Sequence, residues 1–272
     1  MAAPANNLSG SRQRILTGLA LGGGALAALL GLPTPAWGGL MLAVVGLGAW
    51  EWAALVKFDN GQRILYTVFT PPLSLAALFA LPSVAIATAA ILFWLVAAPL
   101  WLARGWRMPR GPGGALLGWL LLVPTFYAAV SLHATSPMLV LGGILLAVIA
   151  DSAAYFSGRK YGKRKLAPGI SPGKSWEGAL GAAIAVALYA LLVGLFFLHA
   201  NPGRILLLLV LALVLFVASI LGDLFESLGK RQAGIKDSGN WLPGHGGVLD
   251  RIDSLSAVLP LSLSFLLLWQ SI

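Results

Sequence analysis

The sequence predicts an all-α, polytopic integral membrane protein with about nine transmembrane helices, and two observations carry that prediction. Of its 272 residues, 58% are hydrophobic and only 10% are charged, with a mean hydropathy of +0.87. A soluble domain is about a quarter charged, so this chain could not cover a soluble fold with polar surface. Its long apolar runs also recur at the length of a spanning helix and are continuous rather than alternating, which excludes a transmembrane β-barrel.

Nine predicted spans account for the apolar runs. They lie at residues 15–31, 36–56, 64–81, 83–103, 115–133, 138–157, 178–199, 204–226 and 253–271. Each should be a helix, because backbone polar groups in lipid must be satisfied within the segment. The first run counts as a span because no small-x-small cleavage site of a signal peptide accompanies it. Short, proline-containing turns are predicted after spans one, three, five and seven.

The basic residues lie almost entirely in the other set of loops. Seventeen of the 18 precede span one or follow spans two, four, six and eight, and only Arg204 falls on the opposite side. The positive-inside rule therefore predicts a cytoplasmic N-terminus and cytoplasmic basic loops, and an odd span count places the C-terminus outside. The basic residues behind the net charge of +9 thus orient the protein, and no nucleic-acid partner is expected. The high alanine and arginine content suggests the plasma (inner) membrane of a bacterium.

Acidic residues are few, so those within spans are informative. A carboxylate at such a position costs about 2.5–3.5 kcal/mol and needs a partner. The four concerned are Glu51, Asp151, Asp223 and Glu226. For Glu51 and Asp151, a structural ion pair and a functional role both remain open. Asp223 differs, because it belongs to a polar stripe at helical spacings of three and four that should face protein or a water-filled cavity. The stripe comprises Ser219, Asp223, Glu226, Ser227 and Lys230.

Two long cytoplasmic segments, about 158–177 and 227–252, are rich in glycine, proline and cations. In the second, three glycines allow close backbone approach to a ligand, four cations suit phosphate oxygens, and three acids supply the hard oxygens that Mg²⁺ prefers. The glycines are Gly244, Gly246 and Gly247. The cations are Lys230, Arg231, Lys236 and Arg251, and the acids are Asp237, Asp250 and Asp253. The combination indicates phosphoryl or nucleotidyl transfer at the membrane surface. The alternative is a solvated basic turn attracted to anionic lipid.

The run from Ser227 to Asp253 resembles the signature of the phosphatidate cytidylyltransferases, also called CDP-diacylglycerol synthases. That signature reads S-x-apolar-K-R, four residues, K-D-x-small, two residues, then apolar-P-x-H-G-G-apolar-x-D-R-apolar-D. Only Gly229 departs from it, at a position where the family usually has an aliphatic residue. A second stretch, from Ser171 to Gly178, resembles the family's S-P-x-K-S-x-E-G. The strong similarity begins at about residue 140.

The resemblance implies an enzyme that joins CTP and phosphatidic acid, giving CDP-diacylglycerol and pyrophosphate with Mg²⁺ and possibly a second metal ion. It implies metal ligands at Asp223 and Asp250. Asp253 and Asp237 are implied as a supporting ligand and a local organiser, in this order or the reverse. Phosphate binding is implied for Lys230, Arg231, Lys236 and Arg251, and further substrate contacts for Ser227, Lys174, Glu177, His245, Gly246 and Gly247. For His245, a general base and a loop-orienting or nucleotide contact both remain open.

The resemblance also divides the chain into two parts. Residues 1–135 are expected to form a scaffold of spans one to five with lipid and dimer contacts, and residues 136–272 the catalytic region with cytoplasmic active-site loops. A homodimer is expected, because family members form dimers.

One rival interpretation is another CTP-dependent membrane enzyme, such as a polyprenol kinase or a synthase for a different lipid phosphate. A second rival is an ion-coupled transporter, which would place its acids near the middle of the membrane on broken helices.

Overall fold

The computed structural model describes residues 7–242 and 246–270, and side chains from residue 18 onward within those ranges. It contains α1 (Asn7–Gly31), α2 (Thr34–Leu55), α3 (Asn60–Ala80), α4 (Ser83–Ile91), α5 (Ala98–Arg104), α6 (Gly111–Thr135), α7 (Pro137–Tyr161), β1 (Lys165–Ala167), β2 (Ser171–Ser175), α8 (Trp176–Leu192), α9 (Pro202–Ala233), α10 (Leu249–Ile252) and α11 (Leu255–Gln270). A π-helical turn at Leu92–Ala97 joins α4 to α5, and another at Val193–Phe197 extends α8.

Within the described ranges, eight helical segments are long and apolar enough to cross a membrane. They confirm the predicted polytopic helical fold and match spans two to nine in order. The predicted first span falls on α1, and the part of α1 whose side chains are described, Gly18–Gly31, is an apolar helical stretch.

The basic loops meet at one end of the bundle. Near the end of α9, the side-chain amide of Gln232 accepts a hydrogen bond from the Met108 backbone N–H at 2.6 Å and donates to the Trp106 carbonyl at 2.9 Å. Arg231 donates through Nε to the Ile170 carbonyl at 3.2 Å. These contacts bring together the loops that follow spans four, six and eight, as the charge pattern predicts.

The short turns occupy the opposite end. The ring of His133, at the end of α6, lies 3.1 Å from the Thr34 hydroxyl and 3.0 Å from the Leu29 carbonyl. The guanidinium of Arg204 lies over the ring of Trp269, 5.5 Å from its centroid. Arg204 is therefore separated from the other basic residues by the length of the bundle.

The largest apolar core joins α2, α4, α6 and α9 beneath the basic end. Phe225 of α9 packs edge-to-face against Phe93 and Trp94, with ring centroids 5.3 and 6.0 Å apart. Trp52 of α2 is buried in this core and donates its indole N–H to the Gly114 carbonyl at 2.9 Å. Trp52 of α2 and Phe225 of α9 thus belong to one core, although the two helices are remote in sequence.

Two features of the basic end differ from the predicted boundaries. The helix of span eight continues to Ala233 rather than ending near residue 226, and it stops where Gly234 adopts the left-handed conformation with φ 80°. The segment after α7 also contains an antiparallel hairpin, in which Lys165 pairs with Ser175 and Ala167 with Ser171. Ser227, Lys230 and Arg231 are consequently helical residues with fixed directions, and Lys174 lies on a strand.

Candidate active site

The polar stripe of α9 faces the protein interior. Ser219, Glu226, Ser227 and Lys230 are all buried, whereas Asp223 remains about a quarter exposed. Their spacing of three and four residues places them on one helix face. This face of α9 is the floor of the candidate active site.

Lys230 connects two buried carboxylates. Its Nζ lies 2.6 Å from Oδ1 of Asp250 and 3.1 Å from Oε1 of Glu226. The contact with Asp250 is a hydrogen bond, whereas Glu226 Oε1 has an ion pair without a hydrogen bond. The side chains of Lys230, Asp250 and Glu226 are only 10%, 7% and 7% exposed, so water screens these charges weakly.

A second ion pair joins the hairpin to α9. Lys174, on β2, places its Nζ 2.5 Å from Oδ2 of Asp223. The hydroxyl of Ser227, one turn further along α9, donates to Oδ1 of the same carboxylate at 3.1 Å. The two segments that carry the family-like motifs therefore meet at Asp223.

Asp250 also organises the glycine-rich loop before α10. Its Oδ2 accepts backbone N–H groups from Ser238 at 3.0 Å and from Gly247 at 2.8 Å. Gly246 has φ 79°, and a Cβ on that residue would lie 2.6 Å from the same oxygen. Glycine is therefore required at position 246 both by backbone conformation and by space.

Glu51 holds this loop from the other side. It is fully buried on α2, and it accepts hydrogen bonds from the Ser238 hydroxyl, the Val248 N–H and the Leu249 N–H at 2.8, 2.9 and 2.8 Å. The first half of the chain thus contributes directly to the architecture of the site.

The charges of the site are predominantly acidic. Asp253 lies within electrostatic range of Asp223 and Asp151, and Asp151 lies within range of Lys174 and Arg251. Five carboxylates therefore share this end of the bundle with three nearby cations. The carboxylates are Asp151, Asp223, Glu226, Asp250 and Asp253, and the cations are Lys174, Lys230 and Arg251.

This donor set fits a divalent cation. Carboxylate oxygens are the ligands that Mg²⁺ prefers, and a cation would relieve the repulsion among the acids. The buried Oε1 of Glu226 is paired with Lys230 and accepts no hydrogen bond, so it adds a further negative charge to this group. In the described part of the chain, no three acidic or histidine side chains converge as metal ligands, and Asp223 and Asp250 each pair with a lysine.

Several residues of the predicted site lie at its edge. Glu177, in the first turn of α8, accepts the backbone N–H groups of Lys163 and Arg164 at 3.0 and 3.2 Å and so closes its own loop. The remaining members are exposed at the rim: Arg231, Lys236, Asp237 and Arg251. His245 lies outside the described residues.

A cavity of about 270 Å³ opens beside the Lys174–Asp223 pair, between α7, α8, α9 and the hairpin. It combines polar and apolar walls, a character typical of sites that bind an amphiphile. The polar part includes Asp151, Lys174 and Ser219, and the apolar part includes Tyr155, Leu166 and Phe216.

Three acidic residues that the site brings together were left without an assigned role by the sequence: Glu51, Asp151 and Glu226. The available signal was their position within spans, since an ionisable residue there needs a partner. Glu226 also follows Asp223 on the polar stripe. Neither signal identifies which residues would be the partners.

Known proteins resemble this chain, two of those described below over nearly its whole length. A family model described as the cytidylyltransferase family matches residues 12–269. The phosphatidate cytidylyltransferase of Pseudomonas aeruginosa is 42% identical over 278 residues, covering 96% of this chain and 97% of the relative. That of Haemophilus influenzae is 35% identical over 92% of this chain and 96% of its own. That of Brucella suis is 54% identical over 119 residues, 43% of each chain. The chain therefore belongs to the cytidylyltransferase family.

Proposed function

We propose that this chain transfers the cytidylyl group of CTP to phosphatidic acid, forming CDP-diacylglycerol and pyrophosphate. Two relatives that match almost end to end are named for phosphatidate cytidylyl transfer. The observation that carries the proposal is the meeting of both motif segments at Asp223, which pairs with Lys174 of one segment and accepts a hydrogen bond from Ser227 of the other. The charged cluster around Asp223 lies at the end of a membrane bundle, where a lipid headgroup and a soluble nucleotide can meet.

The chemistry requires positioning rather than a covalent enzyme intermediate. An oxygen of the lipid phosphate attacks the α-phosphorus of CTP, the bond from that phosphorus to the β-phosphate oxygen breaks, and pyrophosphate leaves with the bonding electrons. Both reactants are anions, so cationic side chains must hold them together. Lys174, Lys230 and Arg251 are placed for this role, with Arg231 and Lys236 at the exposed rim where the triphosphate would enter.

Asp223 and Asp250 would hold Mg²⁺, with Asp253 as a supporting ligand and Asp237 as an organiser of the loop. Bound there, the ion would screen the charge between the two phosphate groups. To serve as ligands, the two carboxylates would share or exchange their lysine partners. The lysine ammonium groups would then be available to phosphate oxygens.

The mixed cavity beside Lys174 is the proposed approach for phosphatidic acid, because its polar wall leads to the cluster and its apolar wall suits an acyl chain. We place this end of the bundle in the cytoplasm of a cell whose plasma membrane the protein spans, since the sequence assigns 17 of the 18 basic residues to the segments on that side. The family resemblance also implies a homodimer, which native mass spectrometry of the detergent-purified protein tests.

The position of the radiolabel in CTP distinguishes this reaction from its nearest rival. Purified protein, phosphatidic acid and Mg²⁺ should give labelled lipid from CTP labelled at the α-phosphorus and none from CTP labelled at the γ-phosphorus. Label transferred from the γ-position would instead identify a CTP-dependent kinase. Transfer of α-label only to a different lipid phosphate would retain the chemistry and overturn the substrate, and no transfer to any acceptor would overturn the enzyme assignment.

A further inference from the structure

Glu51 connects the first half of the chain to the candidate active site through three hydrogen bonds. Its side chain is completely buried at the end of α2 that faces the charged cluster. Its two oxygens together accept three hydrogen bonds, from the Ser238 hydroxyl and from the backbone N–H groups of Val248 and Leu249. A carboxylate offers only acceptors, so it matches three converging donors.

Two loop glycines make this approach possible. A Cβ on Gly239 would collide with the Glu51 carboxylate, and a Cβ on Gly247 would collide with both that carboxylate and the Ser238 hydroxyl. The sequence suggests that the glycines of this loop bring the backbone close to a ligand. At these two positions, the group that the backbone approaches is a carboxylate of the protein itself.

The same loop is held a second time by Asp250. Ser238 donates its backbone N–H to Asp250 and its hydroxyl to Glu51, while Gly247 donates to Asp250 immediately before the two donors to Glu51. Both ends of the loop, at 238 and at 247–249, are therefore fixed between two carboxylates. Ser238 and the 247–249 backbone thus bridge the two carboxylates.

We infer that Glu51 is a positioning residue, which sets the loop between Ser238 and Leu249 and thereby aims Asp250 and its partner Lys230 at the reacting phosphates. The inference deepens the proposed function and rests on it. The role differs from general helix packing because all three donors to Glu51 belong to this loop.

Kinetics of the full-length protein test the inference first. Glu51→Gln places an amide N–H₂ against backbone donors, and displacing the loop by about 1 Å should lower kcat about 10²-fold. The KM for phosphatidic acid should stay unchanged, because the cavity beside Lys174 does not include the loop. Ser238→Ala removes one donor of three and should lower kcat by a smaller factor. His133→Leu is the control, since His133 is equally buried and hydrogen-bonded at the opposite end of the bundle.

A labelling measurement gives a readout that does not depend on activity. The chain has no cysteine, so Val248→Cys introduces a single thiol at a buried position of the loop while keeping its backbone N–H. Maleimide should label this reporter about tenfold faster when it is combined with Glu51→Gln, because the loop opens more often. Combination with His133→Leu should leave the labelling rate unchanged.

Faster labelling and a lower kcat in Glu51→Gln, at a Tm no lower than that of His133→Leu, support the positioning role. Unchanged labelling would overturn it, as would an equal fall in kcat for His133→Leu. If the unsubstituted protein makes no CDP-lipid, the proposed function fails. The labelling rates would then still decide whether Glu51 fixes the loop.

Discussion

At the residue scale, Lys230 is the charge on which the cluster depends. It neutralises part of the charge of Glu226 and Asp250, whose side chains are each 7% exposed. Replacing a buried ion pair by apolar groups is often tolerated, but removing one partner leaves an uncompensated charge. The stability of this end of the bundle should therefore be sensitive to the single ammonium group.

Lys230→Met removes that group while keeping an unbranched side chain of similar length. We expect the free energy of unfolding to fall by about 3–5 kcal/mol, because Glu226 and Asp250 lose their shared cation, and CDP-lipid formation should be lost. Thermal unfolding in detergent measures the first effect. Lys165→Met, the same change at an exposed position of β1, should alter stability by no more than about 0.5 kcal/mol. Equal stability of the two variants would contradict this role for Lys230.

The sequence predicts which carboxylates need partners but not which partners they find. Burial cost alone identifies Glu51 and Asp223 as positions of interest. The donors to Glu51, however, lie 187 to 198 positions along the chain. No local pattern encodes such a pairing, since it depends on how α2 packs against α9 and α10. Likewise, the need for glycine at positions 239 and 247 is evident only once the Glu51 carboxylate is known to lie beside them.

At the element scale, α9 supplies the site with most of its fixed directions. Hydropathy predicts an end near residue 226, where apolar residues give way to charged ones, yet the helix continues to Ala233. Hydropathy reports where a chain leaves the apolar environment, whereas the helix ends where Gly234 takes a left-handed conformation. The hairpin at 165–175 escaped prediction because its strands are only three and five residues long and the second contains Pro172 and Gly173.

Two glycines of α9 should respond in opposite ways to alanine. At Gly229, the position that departs from the family pattern, a Cβ would meet Met108 at an ordinary 3.6 Å, so Gly229→Ala should stabilise the protein by about 0.5–1 kcal/mol. At Gly222, a Cβ would lie 2.5 Å from the Asp253 carbonyl, so Gly222→Ala should destabilise it by about 1–3 kcal/mol and reduce activity. Thermal unfolding compares the stabilities of the two variants. Stability changes of the same sign would contradict the different space found at the two glycines.

At the scale of the whole molecule, the charges and the fold agree. Sorting basic residues between alternate loops is sufficient to predict which loops share an end of the bundle, and contacts such as Gln232 with Trp106 and Arg231 with Ile170 bear this out. The dependence of the site on α2 was beyond sequence reasoning, because the motifs all lie after residue 140 and the first half reads only as apolar spans. Glu51 joins the two halves.

The most direct test uses sealed membrane vesicles, because CTP does not cross a bilayer. Inverted vesicles containing the protein should incorporate α-labelled CTP into lipid, right-side-out vesicles should do so only after permeabilisation, and Asp223→Asn should lower the rate about 10²-fold or more. Asp59→Asn is the matched control, an equal change of charge at the exposed N-cap of α3, where asparagine caps as well as aspartate. Incorporation confined to right-side-out vesicles, or a normal rate with Asp223→Asn, would contradict catalysis by the charged cluster at the cytoplasmic end of the bundle.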